Sequence, residues 1–178
     1  MSSTQPRTTD GDLLTGTFRD RENAERAYNS LLDRGYTKDE INVMMSDDTR
    51  KRHFAATDVD SDLGTKAAEG GLTGATIGGV AGAIAGVLAA AGTLAIPGLG
   101  IVLAGPLAAG LAGLGAGGAA GGLVGALIGA GIPEERAKLY SNDIQNGGIV
   151  MGVRPRSVDD ATYFEQEWTG YNGENIRR

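Results

Sequence analysis

Four acidic residues carry the only metal-like spacing in the chain. Asp58, Asp60, Asp62 and Glu69 stand at positions one, three, five and twelve of a calcium loop, where carboxylate oxygens can wrap a hard divalent cation. The glycine such a loop needs at position six is Leu63 here, Gly64 comes one residue late, and Lys66 occupies position nine. The same stretch also reads as an acidic, solvated linker whose Asp62 caps a helix. A Gly113-x-Gly115-x-x-Gly118 match neither follows a predicted strand nor opens a β-α-β unit, so no nucleotide cofactor is expected from it. Arg50, Lys51, Arg52 and His53 form the one basic cluster, suited either to anionic headgroups or to a solvated loop. His53 is the sole histidine and has no carboxylate or nucleophile at a partnering distance in sequence. Without cysteine there is no thiolate chemistry and no disulfide. Nothing resembles a triad, a P-loop or a glycosidase carboxylate pair, so no catalytic residue, cofactor or small-molecule substrate is expected. A net charge of −6 and a pI near 4.8 argue against a nucleic-acid partner.

The elements that would position any chemistry are of two kinds. Between Glu69 and Glu134 run 64 residues without a single charge, and they hold 21 of the 30 glycines. Within them Gly70, Gly74, Gly78, Gly82 and Gly86 keep strict i, i+4 register. The register resumes as Gly105, Ala109, Gly113, Gly117, Gly121, Gly125 and Gly129. Such a period lays small residues in one stripe along a helix, where a second backbone can approach closely. Each interior glycine costs a helix about 0.5–1 kcal/mol relative to alanine, so these helices are expected to need close packing or lipid around them. Pro97 and Gly98 mark the turn between two helices of about 23 and about 29 residues, each long enough to reach across a bilayer core. The turn lacks charged and aromatic residues, and no aromatic belt brackets the segment, which fits a hairpin dipping into one leaflet or buried among copies of itself.

The flanks read as two halves of one small unit. Residues 13–18 and 41–45 are predicted strands around a helix with the stripe Ala24, Ala27, Tyr28, Leu31 and Leu32, begun by Asp20 and ended by Gly35. Beyond the insert, a helix opening at Pro133 stops at Gly147, a strand covers 149–154, and a last helix carries Ala161, Phe164 and Trp168. The expected class is therefore α+β: a small three-stranded sheet covered by helices on one face, a partial ferredoxin-like arrangement lacking a strand. A long α-helical glycine-zipper hairpin interrupts it. The expected parts are a disordered tail at 1–12, a β-α-β half with linker at 13–63, the hairpin at 64–131, an α-β-α half at 132–170 and a polar tail at 171–178.

The segment GTFRDRENAERAYNSLLDRGYTKDEINVM, the AIPGLG turn, the GGLVGALIGAGIPEE junction and the GGIVMGV strand resemble the bacterial heat-induced or general stress proteins of the YflT-like type, over roughly 13–153. The resemblance implies a stress-response role and brings no catalytic residue or cofactor with it. The functional expectation is a non-enzymatic stress protein whose hairpin associates with membrane lipid, with copies of itself, or with both. The α+β unit would act as a cytoplasmic cap, since no signal peptide opens the chain. The competing expectation is a wholly soluble structural protein that self-assembles through the same glycines.

Overall fold

The computed structural model describes residues 13–54, 83–89, 94–96, 100–108, 122–129 and 132–178. Strand β1 (Leu14–Phe18) leads into helix α1 (Arg21–Asp33), whose first turn is capped by the Asp20 carboxylate accepting from Asn23 N at 2.8 Å. Gly35 N donates to Leu32 O and Tyr36 N to Leu31 O, the paired bonds of a Schellman ending. A 3₁₀ turn (Lys38–Glu40) delivers the chain to β2 (Ile41–Ser46), and helix α2 (Asp47–Phe54) follows at once. The charge-free segment contributes α3 (Ala83–Ala89), β3 (Leu94–Ile96), β4 (Ile101–Ala104) and α4 (Gly122–Gly129). The chain then forms α5 (Glu134–Gln145), β5 (Ile149–Val153), α6 (Val158–Gly170) and β6 (Glu174–Arg177).

The α+β class holds, but the sheet has six strands rather than three, in the order β3-β4-β2-β5-β1-β6 with every neighbouring pair antiparallel. The three expected strands are its centre: β5 lies between β1 and β2, with Val153 opposite both Leu14 and Ile41. Since β1 and β2 each run antiparallel to β5, they are parallel to each other and need the α1 crossover. The same logic makes β5-α6-β6 a second crossover spanning β1. Two interlocked β-α-β units of this order constitute the βαββαβ, ferredoxin-like connectivity, complete with its fourth strand. That strand is β6, which replaces the polar tail expected at 171–178. Asn172, at φ 54°, takes the left-handed position after α6, and Gly173 N reaches back to Trp168 O at 2.7 Å, so the helix ends at Gly170 and the chain reverses into the sheet.

Helices cover both faces of the sheet, not one. On the first face Leu14, Phe18, Ile41, Val43, Met45, Met151 and Val153 meet α1, α3 and α6, with Tyr28, Leu31, Ile84, Phe164 and Trp168 in the core. Phe18 and Trp168 pack edge to face at 5.8 Å. On the second face Met44, Val150, Ile101 and Leu103 meet Leu123 and Leu127 of α4 and Tyr140 and Ile144 of α5. Strand alternation divides the two sets, as when Val43 and Met44 point to opposite sides.

The insert departs most from expectation. The stretch around Pro97 and Gly98 was expected to join two helices. Instead, Ile96 faces Ile101 in the β3–β4 ladder, and β4 pairs with β2 from Val43↔Ala104 to Ser46↔Ile101. Pro97 and Gly98 themselves lie outside the described residues. Gly105 cannot belong to a helical ladder: it sits at φ +96° directly after β4, and a Cβ there would land on the Ile41 carbonyl oxygen. Gly122, at φ +63°, likewise interrupts any continuous helix through the second ladder. The described parts of the two expected hairpin helices, α3 and α4, lie on opposite faces of the sheet and so do not pack on each other. Among the described residues no helix is long and apolar enough to cross a membrane.

Candidate functional site

Of the glycines expected at a helix-packing interface, Gly86, Gly125 and Gly129 are described; Gly70, Gly74, Gly78, Gly82, Gly113, Gly117 and Gly121 are outside the described residues. Among the described residues, a Cβ built on Gly86 or on Gly125 would meet nothing within 4 Å. Neither glycine therefore receives a close backbone from the described residues. The helices are anchored by other residues: α3 buries Ile84 and Ala85 against α1, and α4 buries Leu123 and Leu127 beside α5. Ile128, 43% exposed, shares the outer side of α4.

The seat of α3 on α1 is built around Glu25. This carboxylate is only 2% exposed, and its Oε2 accepts from Ile84 N at 3.1 Å at the start of α3. Its Oε1 has no hydrogen-bond partner, since Arg21 Nε stands 3.9 Å away, and the hydroxyl of Tyr28, 1% exposed, has none either. Burial pushes the Glu25 carboxyl above the usual carboxylate range, against the opposing pull of the Ile84 N–H and of Arg21. Burial also raises the Tyr28 phenol, with the Glu25 and Asp39 charges adding to the effect. The sequence reading placed Glu25 nowhere in particular. Its position three residues before Tyr28, on the edge of the α1 stripe, was the available signal.

A second buried carboxylate, Asp143 of α5, is fully satisfied. Thr17 Oγ1 donates to it at 2.8 Å, Arg19 Nη2 at 3.1 Å and Asn175 Nδ2 at 3.0 Å, which ties β1 and β6 to the helix. Thr15 and Tyr140 bond beside it. Asn42 is equally committed, donating to Gly152 O and accepting from Leu107 N at 2.7 Å, so that it fixes the chain as it leaves β4. At the surface, Arg156 lies over the Tyr36 ring at 4.2 Å and chelates Glu40. Tyr36 accepts from Arg156 N and donates to Asp160. The Thr37 N–H first, and Arg156 second, hold the Glu40 carboxyl down at about 2.

Two surface clefts are lined by described residues. One of about 680 Å³ lies between α5 and β6 and includes Pro133, Arg136, Leu139, Glu165, Arg177 and Arg178. Its Arg178 is taken up by Glu165 at 2.7 Å, and Arg136 reaches the Leu13 carbonyl. The other, of about 470 Å³, runs past Leu13, Asp39, Asn42, Leu107 and Arg154. Neither brings a nucleophile to a base. Among the described residues no His, Asp or Glu group is arranged to hold a metal, and the candidate ligands Asp58, Asp60, Asp62 and Glu69 lie outside them.

The basic cluster expected in a solvated loop is the second half of α2. Ser46 Oγ accepts from Thr49 N at 3.0 Å to cap that helix. Arg50 and Lys51 both pair with Asp47, and Arg52 bonds the Asp48 carbonyl. Three of the four basic side chains are thus partly neutralised locally. No protein-family model matches the chain, and no curated protein or solved structure is significantly similar to it.

Proposed function

We propose that this is a non-enzymatic protein of the bacterial general-stress type whose glycine-rich insert mediates close packing between copies of the chain, with the α+β unit as the folded support. The observation that carries the reading is the open space at Gly86 and Gly125. Glycine at these positions weakens its own helix without accommodating any described neighbour, and a second backbone approaching from outside would use that space. Because α3 and α4 occupy opposite faces, the two glycine sites give one subunit two separate contact directions. A heterologous contact through both would extend into large or open-ended assemblies rather than close as a dimer. Lipid contact by the uncharged insert is the companion role. A fully soluble self-assembling protein is the second reading, supported by β3 and β4, which bring part of the insert into the sheet of the unit.

Analytical ultracentrifugation of the wild type against a Gly86→Leu/Gly125→Leu double variant tests this. The variant should keep its circular dichroism, since both sites are open, yet lose the assembled species; an unchanged size distribution removes the glycines as an interface. Flotation with vesicles of anionic lipid separates the two readings, because a protein that stays at the bottom of the gradient has no lipid role.

A further inference from the structure

The contact between α1 and α3 leaves a buried carboxylate oxygen, Glu25 Oε1, without a hydrogen-bond partner at the point where the insert docks on the unit. We propose that α3 seats on α1 as a proton-coupled latch: Glu25 takes up a proton as the helix docks, so that acid holds this end of the insert in place and alkali releases it. This rests on the reading of the insert as the assembling element, whose availability the latch would control.

Glu25 meets different surroundings in the two states. With α3 lifted away, Glu25 lies on the face of a surface helix, where water solvates its carboxylate. With α3 seated, the carboxylate is 2% exposed; its Oε2 accepts from Ile84 N at 3.1 Å with the Ala83 and Ala85 N–H groups beside it, while Oε1 has no partner. A buried carboxylate with one orphaned oxygen is poorly compensated. The neutral acid fits the same place better. Its carbonyl oxygen keeps the Ile84 bond, and the unpartnered oxygen no longer holds a charge out of water.

The surrounding charges do not reverse this. Among the described residues Arg21 on α1 is the cation beside the carboxylate, 3.9 Å away and beyond hydrogen-bond reach. Helix α3, with the sequence AIAGVLA, brings no ionisable group. Helix α2, which closes this end of the core with Phe54, directs Arg50 and Lys51 to Asp47 and Arg52 to the Asp48 carbonyl, and its His53 carbonyl accepts from Arg21. Asp39 acts on Tyr28. Burial therefore leaves the docked carboxyl above its ordinary value. The sign follows by linkage: docking is at full strength below the ordinary carboxyl pKa and weakens as pH rises through the docked value.

Hydrogen exchange on the full chain between pH 4.5 and 8, corrected for the intrinsic exchange rate, reads the latch directly. Protection across 83–89 should fall several-fold as pH rises, while the central strand β5 keeps its protection. In Glu25→Gln the 83–89 protection should no longer vary with pH. Wild-type protection that is flat with pH, or a variant that follows the wild type, overturns the proposal. Should Glu25→Gln fail to fold by circular dichroism, Arg21→Gln tests the same point: loss of the neighbouring cation should move the midpoint of the fall to higher pH, and an unmoved midpoint counts against the latch. Sedimentation of the same samples keeps the two ideas apart. A monomer at every pH with pH-dependent protection removes the assembly reading and leaves the coupling. An assembled protein with pH-flat protection removes the coupling alone.

Discussion

Asp143 and Glu25 are both buried acids on helices that pack against this sheet, and their surroundings give them opposite parts. Asp143 accepts from a threonine, an arginine and an asparagine contributed by two strands, so removing it leaves three donors unanswered. Asp143→Ala is expected to cost about 3 kcal/mol or more in urea denaturation, and Asp143→Asn less, because the amide keeps one accepting oxygen. The Glu40 carboxyl, held at about 2 by the Thr37 N–H and Arg156, contributes stability that is present above the ordinary carboxyl value and is lost as pH falls toward 2. Glu40→Gln should flatten that acid limb, read as the urea midpoint between pH 2 and 6. Single residues of this kind were the least legible in the sequence. Asp143 follows Tyr140 by three and precedes Ile144 on the buried stripe of α5, but only the strands placed opposite it reveal a clamp rather than a defect. The Thr37–Glu40 capping box was legible, because both partners are local in sequence.

At the scale of elements, glycine spacing was read too far. The i, i+4 register ran through Gly105 as though it were helical, when Gly105 ends a strand under the Ile41 carbonyl. The residues on either side of Pro97 and Gly98, Leu94 to Ile96 and Ile101 to Ala104, are short apolar runs bounded by turn residues. Such a pattern suits strands as well as buried helix. Strand β6 has a single core-facing side chain, Ile176, and so lacked the alternation that marks a strand, although Asn172-Gly173 signalled the reversal before it. Two substitutions separate the kinds of glycine. Gly105→Ala should lower stability by about 2 kcal/mol or more through strain and collision. Gly86→Ala, in open space within α3, should raise helix stability by up to about 1 kcal/mol. Thermal or urea unfolding of the pair checks both directions.

For the whole molecule, the two charged flanks meet in one α+β sheet, which the described strands of the uncharged insert extend. What the flanks could not disclose was how many layers they build. Each amphipathic helix records that it has a buried stripe, not which side of a sheet the stripe will take. The insert, moreover, adds two strands to one edge and a helix to each face. Deleting residues 171–178 should uncover the edge of β1 and the Trp168 side chain beneath Ile176. The expected result is a lower melting temperature and concentration-dependent aggregation by light scattering.

The central place of β5 also governs the order in which the molecule can come into being. Strands β1 and β2 have no contact in the sheet except through β5, and roughly 100 residues must be synthesised between the end of β2 and its arrival, about 5–20 s of translation. Throughout that interval both strands present open edges, and the uncharged insert has left the ribosome with neither face of the sheet ready to receive it. A nascent chain of this design depends on whatever shields apolar polypeptide during synthesis. Its yield should therefore respond to chaperone supply more steeply than the stability of the finished protein would suggest.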